Sequence, residues 1–291
     1  MIDRLHNLVA QKLGVRREYL GRLSPLAYFG MAFLAVVAFV AIFAPWLAPY
    51  DLTHMDVTRQ LEPPSADHWL GTDENGGDLL TLVIYGTRVA CMVGISVVSI
   101  SATIGIILGA VSGYFGGKVD EVIMRLTDIM MAFPGILLAI LIIFITQEPS
   151  LLAVILALSV SAWAGYARLV RGQVLSIRDQ AYVEAARALG LPSKRVLFRH
   201  VVPNTLAPVI IQATFGVAGA ILAEAALSFL GLGPQDMPSW GALLDQGANY
   251  FLLTTHLAIF PGIAIMLTVL SINFVGDGLR DILDPRGLTR H

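Results

Sequence analysis

The sequence predicts an all-α integral membrane protein with six transmembrane helices, and two observations carry that prediction. Of 291 residues, 56% are apolar and only 14% are charged, and the mean hydropathy is +0.73. Soluble domains carry about 25% charged residues, so this chain lacks the polar surface to coat a particle of its size. The apolar residues also arrive in long blocks. Crossing about 30 Å of hydrocarbon at 1.5 Å per residue takes roughly 20 residues. Six segments reach that length: 26–48, 89–115, 122–146, 150–169, 205–230 and 256–276. The alternative, buried core helices of a soluble protein, leaves no amphipathic elements to cover them.

Basic residues orient these spans. Of the 19 Lys and Arg, only Arg59 and Arg88 fall in the segments on one side of the predicted membrane. The others fall before the first span, at the 2–3 turn, between spans four and five, and in the tail. Insertion retains basic residues on the cytoplasmic side, so both termini are expected there. The net charge of −2 conceals this asymmetry. No basic patch stands apart from it, and no nucleic-acid partner is expected.

The first span starts after 25 residues and is longer than a signal-peptide core, so it is read as a retained anchor. Residues 1–25 alternate apolar and basic positions, which suits either a helix on the membrane surface or an unstructured tail. The chain divides into 1–85, with the first span and an outside loop at 49–85, and 86–291, a five-helix core. A second outside loop is expected at 231–255. Gly105, Gly109 and Gly113 lie four apart and predict a close helix contact. Pro134 and Pro261 interrupt spans three and six, where a bend is the first expectation and a kink beside a pathway the second. Cys91 is the only cysteine, which excludes an internal disulfide and a cysteine metal site.

Catalytic patterns are absent from the sequence. It has no Gly-x-Ser-x-Gly, no His-Glu-x-x-His and no Walker A run, so ATP binding by this chain is not expected. Asp73-Glu-Asn-Gly-Gly-Asp78 superficially resembles a calcium loop. Its sixth and twelfth positions are Asp78 and Ile84 rather than Gly and Glu, so a turn is the expected reading.

The informative segment lies between spans four and five, within about 178–204. Residues 182–189 favour a helix, Gly190 supplies a left-handed stop, and Pro192 forbids continuation. Ser193 is then expected to cap a second short helix that runs to about His200 and is closed by Pro203. Glu184 and Arg187 share one face, and Ala185 and Ala186 offer a smooth surface to a partner. A solvated connection needs no such punctuation, so a docking element is expected.

These residues carry a resemblance. Glu184-Ala-Ala-x-x-x-Gly190, followed after nine residues by His200-x-Val202-Pro203, resembles the EAA loop of ABC importer permeases, whose usual ending is Ile-x-Leu-Pro. Over nearly its full length the chain resembles the dipeptide/oligopeptide/nickel permeases. The supporting runs are Phe43-Ala-Pro-Trp-Leu-Ala-Pro-Tyr50, Leu70-Gly-Thr-Asp73, Tyr85-Gly-Thr-Arg88, Ser228-Phe-Leu-Gly-Leu-Gly233, Pro238-Ser-Trp-Gly241 and Gly276-Asp-Gly-Leu-Arg-Asp281. Gly77 departs from the Arg common in that family.

The resemblance implies a type I importer permease in the bacterial cytoplasmic membrane. Its implied partners are a homologous second permease, two ATP-binding subunits and an extracytoplasmic binding protein, with ATP and Mg held by the ATPase subunits and no cofactor on this chain. Glu184, Ala185, Ala186, Arg187, Gly190 and Pro203 would then form the ATPase-coupling loop. The implied cargo is a di- or oligopeptide; nickel or its chelate, glutathione and a peptide antibiotic are the alternatives. An ion-coupled secondary transporter would need paired ionisable groups mid-membrane. Glu224 is the one clear acidic candidate. A place in the substrate path or its gate is one reading for it, and a packing contact is the other.

Overall fold

The computed structural model describes residues 23–147 and 149–283. The surface-helix expectation for 1–25 falls almost wholly outside them. Helix α1 spans Pro25–Leu47, capped by the Ser24 hydroxyl, which accepts from the Ala27 amide at 3.2 Å. Helix α2, Leu79–Phe115, begins ten residues before the expected second span. Asp78 sets that start, because its carboxylate accepts from the Thr81 amide at 2.8 Å and satisfies an otherwise orphaned donor. Helices α3 (Gly117–Ala132), α4 (Gly135–Thr146) and α5 (Leu151–Ile177) follow. Two short helices, α6 (Ala181–Ala188) and α7 (Ser193–Val196), lead through a π-turn at Leu197–Val201 into α8, Val202–Phe229. Helices α9 (Trp240–Asn249) and α10 (His256–Leu283) complete the order.

Five helices, α1, α2, α5, α10 and the run from Ser193 to Phe229, are long and apolar enough to cross a membrane. The expected third span, 122–146, is interrupted at Pro134, as the sequence predicts. It is two helices, α3 and α4, meeting at 85°. Pro134 causes the break: its ring bars the helical conformation from the residue before it, and Phe133 is extended at φ −91°, ψ 135°. Counted as one broken span, the pair brings the total to six. The twelve residues of α4 rise only about 18 Å. Helix α3 carries Lys118, Asp120, Glu121, Arg125 and Asp128, and two of these reach α5: the Arg171 guanidinium grips Asp120 through two bonds of 2.6 Å, and Arg168 reaches Asp128 at 2.5 Å. Pro261, by contrast, lies inside an unbroken α10.

The glycine stripe does what its spacing predicts. Helices α2 and α5 run parallel and lie nearly backbone to backbone. A Cβ on Gly105 would meet the Trp163 carbonyl at 2.8 Å, one on Gly109 would run into the Ala167 carbonyl, and one on Gly113 would meet Val174 Cβ at 2.9 Å. Helix α8 packs against α2 and α10, and α1 lies along α10 with Gly30 against the Ser271 carbonyl. The outer faces of α1 and α4 expose Phe39, Ile42, Trp46, Leu141 and Phe144, as lipid-facing helices do.

The second expected loop, 231–255, contains a helix the sequence reading omitted. Ser239 caps α9 by accepting from Ala242 N at 3.1 Å, and Trp240 Nε1 donates to the Val83 carbonyl of α2 at 2.9 Å. Gly86 and Gly241 make room for this docking, since Cβ atoms there would strike the Trp240 ring and the Ala225 backbone. The 48–78 segment beside it is folded as well: buried His68 bonds Asp78 at 3.0 Å and stacks on Tyr50 at 4.8 Å. Asp73 closes a tight turn by accepting from Asn75 N and Gly77 N at 2.9 and 2.7 Å, so the calcium-like run is a turn. Burial pushes the Asp73 carboxyl above its ordinary value, against the pull of those two amides.

Candidate functional site

The segment linking α5 to α8 is built from the residues the sequence singled out. Helix α6 stops where expected. Gly190 sits at φ +77°, its amide bonds the Arg187 carbonyl at 2.9 Å, and the Leu191 amide bonds the Ala186 carbonyl at 3.3 Å. This pair of bonds is the Schellman ending that glycine permits. Three details are corrected. Ser193 is the first residue of α7 rather than its cap; Pro192 occupies the cap position without a side-chain bond. Pro203 does not close the segment but lies in the first turn of α8, where a missing amide hydrogen costs nothing. Ala186 is buried, so Ala185 alone of that pair faces outward.

Burial of Ala186 belongs to a wider anchoring. Val183, Ala186, Val196, Leu197 and Val201 form one core with Val170, Val174 and Ile177 of α5 and Val209 of α8. Arg187 lies over the Tyr114 ring of α2, 5.0 Å from its centroid, and donates to its hydroxyl at 3.3 Å. Asn204 ties Tyr182 to the His200 carbonyl. The anchored loop presents Glu184 and Ala185 beside two large apolar side chains, Leu189 at 82% exposure and Phe198 at 50%. The sequence reading missed Leu189 and Phe198, because their exposure depends on which faces α5 takes.

At the far end, Glu224 is 2% exposed within this chain. Ser228, one turn further along α8, donates to its Oε1 at 2.6 Å.

The family described as binding-protein-dependent transport system inner membrane component matches residues 105–287, and the N-terminal transmembrane domain of oligopeptide transport permease C matches residues 22–64. The chain belongs to the binding-protein-dependent permease family. The permease is 43% identical to the dipeptide transport system permease protein DppC of Alkalihalophilus pseudofirmus over 262 residues, 90% of this chain and 86% of that one. It is 38% identical to the oligopeptide transport system permease protein OppC of Bacillus subtilis, over 91% and 87% of the two chains. Among solved structures, the inward-facing MetNI methionine ABC transporter superposes with a TM-score of 0.58 at 21% identity, over 72% of this chain and 97% of that one. The fold is that of a type I ABC importer permease, and the permease is a multi-pass inner-membrane protein.

For the permease, substitution separates the packing and gate readings of Glu224. If the role is packing, Glu224→Gln keeps an oxygen acceptor for Ser228 and should leave cargo preference and uptake rate unchanged. Glu224→Ala orphans the buried Ser228 hydroxyl, at about 1–3 kcal/mol, and should lower the thermal midpoint of the purified protein. Slowed or re-targeted uptake in the Gln variant at unchanged stability would favour the gate reading.

Proposed function

We propose that this permease carries di- or oligopeptides, delivered by an extracytoplasmic binding protein, through a pathway shared with a second permease, and that its Ala181–Val201 segment couples this movement to partner ATPase subunits. The observation that carries the reading is the anchored segment itself. It presents Glu184, Ala185, Leu189 and Phe198 outward while its other face is fused to α5 and α8 through Val174, Val183 and Val201. A push on the exposed face therefore moves two long helices rather than a loop. Through the Gly105–Gly113 contact it also moves α2. Nucleotide binding at the partner would bias the inward–outward equilibrium through that push. The names of the dipeptide and oligopeptide relatives support the cargo class.

Reconstitution with the neighbouring ATPase, permease and binding-protein subunits tests the reading. ATP-dependent uptake of labelled trialanine is the expected result. Uptake of a nickel chelate or of glutathione, with none of trialanine, would reject the peptide assignment.

The orientation belongs to the same proposal: termini and the Gly190 end cytoplasmic, the Trp240 end outside. It rests on the distribution of Lys and Arg. With Cys91 replaced, a cysteine at position 236 should react in intact cells with an impermeant thiol reagent, and one at position 190 should not. Labelling at 190 would overturn it.

A further inference from the structure

Midway along the bundle, helices α2, α4, α5 and α8 leave a cavity of about 330 Å³, within the size range of small-molecule sites. Its walls include Ser101, Gly135, Ser161, Tyr166, Gln212 and Gly216, and no lining side chain is charged. The Tyr166 side chain is 4% exposed, yet its hydroxyl has no hydrogen-bond partner among the described residues. A buried hydroxyl without a partner forfeits its hydration and gains nothing in return. Gly216 makes room for this hydroxyl, for a Cβ there would collide with it. Gln212 lies on the same wall. It is an exposed amide on an apolar helix, and no side-chain bond is formed by it within the described residues. Such a group belongs against a wet cavity or a partner rather than lipid. Ser161 spends its proton on the Leu158 carbonyl of its own helix at 3.4 Å, leaving its oxygen lone pairs toward the cavity.

We infer that this cavity is a cargo site in the membrane, taking the amide backbone of a peptide through the Tyr166 hydroxyl and the Gln212 amide. The inference rests on the peptide reading above. Neutral donors and acceptors suit the amide groups of a peptide, and its charged ends, which find no countercharge on this wall, must project beyond it. Both groups can donate and accept, so either edge of an amide is read without regard to side chain. The apolar remainder of the wall, with Val97, Val98 and Leu158, receives side chains of varied shape. The site is also mechanically linked to the coupling loop. Tyr166 belongs to the core that holds Val174, Val183 and Val201, so movement of α6 and α7 displaces the wall that carries the hydroxyl.

The test uses the assembled transporter in proteoliposomes, with Cys91 replaced and cysteine placed singly at 161 or 212. A water-soluble methanethiosulfonate should label both positions, and trialanine-loaded binding protein with ATP should slow that labelling. Tyr166→Phe, which keeps the ring and removes an unpartnered group, should leave assembly and thermal midpoint unchanged. It should raise the trialanine concentration giving half-maximal protection about 3- to 10-fold, the loss expected for one neutral hydrogen bond. Binding of trialanine to the isolated binding protein is the control and should not move. Positions 161 and 212 that never label, or protection identical in the Phe variant, would overturn the site. Protection by a nickel chelate with none by trialanine would overturn the peptide reading and leave a pathway cavity of another specificity.

Discussion

Glu184→Lys should abolish uptake while leaving the permease inserted and folded. Glu184 is exposed on α6, and no side-chain hydrogen bond or ion pair within the described residues holds it. As an acidic residue in the first turn of α6 it gains about 0.3–1 kcal/mol from the helix dipole. Reversing its charge therefore costs the fold little, unlike a change at the buried Val183 or Ala186 beside it. A larger loss must fall at a partner. Truncating one member of a buried interfacial charge pair costs about 2–5 kcal/mol, and reversal adds repulsion. That corresponds to a fall of about 30-fold or more in ATPase-subunit affinity. Co-purification of the ATPase with the variant, beside peptide uptake in membranes, measures both halves. Leu189→Asp should act in the same direction, since it puts a charge where an apolar contact surface stands. A Glu184→Lys complex that assembles and transports like the unaltered one would remove the coupling assignment.

Gly109→Val should prevent stable accumulation of the permease. The carbonyl of Ala167 occupies the place where a Cβ would go, and Val170 Cβ stands 3.0 Å away. Backbone cannot rotate aside as a side chain can, so α2 and α5 must separate along their whole contact. Overpacking of a well-packed core costs about 1–3 kcal/mol where neighbours can adjust, and more is expected where a carbonyl blocks the way. Ile107→Ala, on the 46% exposed flank of the same helix, supplies the comparison and should be tolerated. Thermal unfolding of both proteins in detergent, together with their membrane yield, distinguishes them. Equal midpoints would mean that the helix contact bears little of the stability.

These two positions show what one-dimensional pattern conveys. Gly109 was legible because a four-residue repeat of glycines marks a helix face whatever that face meets, and the loop at Glu184 was legible because Gly190 and Pro192 act on their own backbone. The existence of the long helices was legible for the same reason, since apolar length is a local property, although α2 starts ten residues before its expected span. Residues whose role depends on a distant neighbour were not legible. Arg171 and Asp120 are 51 positions apart, and Trp240 bonds a carbonyl 157 positions away. Nothing in either neighbourhood names the other.

Composition, apolar length and the local chemistry of Gly and Pro thus determined, from the sequence alone, a helical membrane protein with a punctuated connection between its fourth and fifth spans. Tertiary structure decided the rest. It turned the bend announced by Pro134 into an 85° break between two helices. It buried Ala186 and exposed Leu189, because α5 presents Val170, Val174 and Ile177 to one side of α6 only. It buried Glu224, which in sequence is one carboxylate in an apolar helix, and set Ser228 against it. A side chain's chemistry is written in its identity, but its environment is the sum of helices brought together by long-range packing, and that sum exists only in the folded chain.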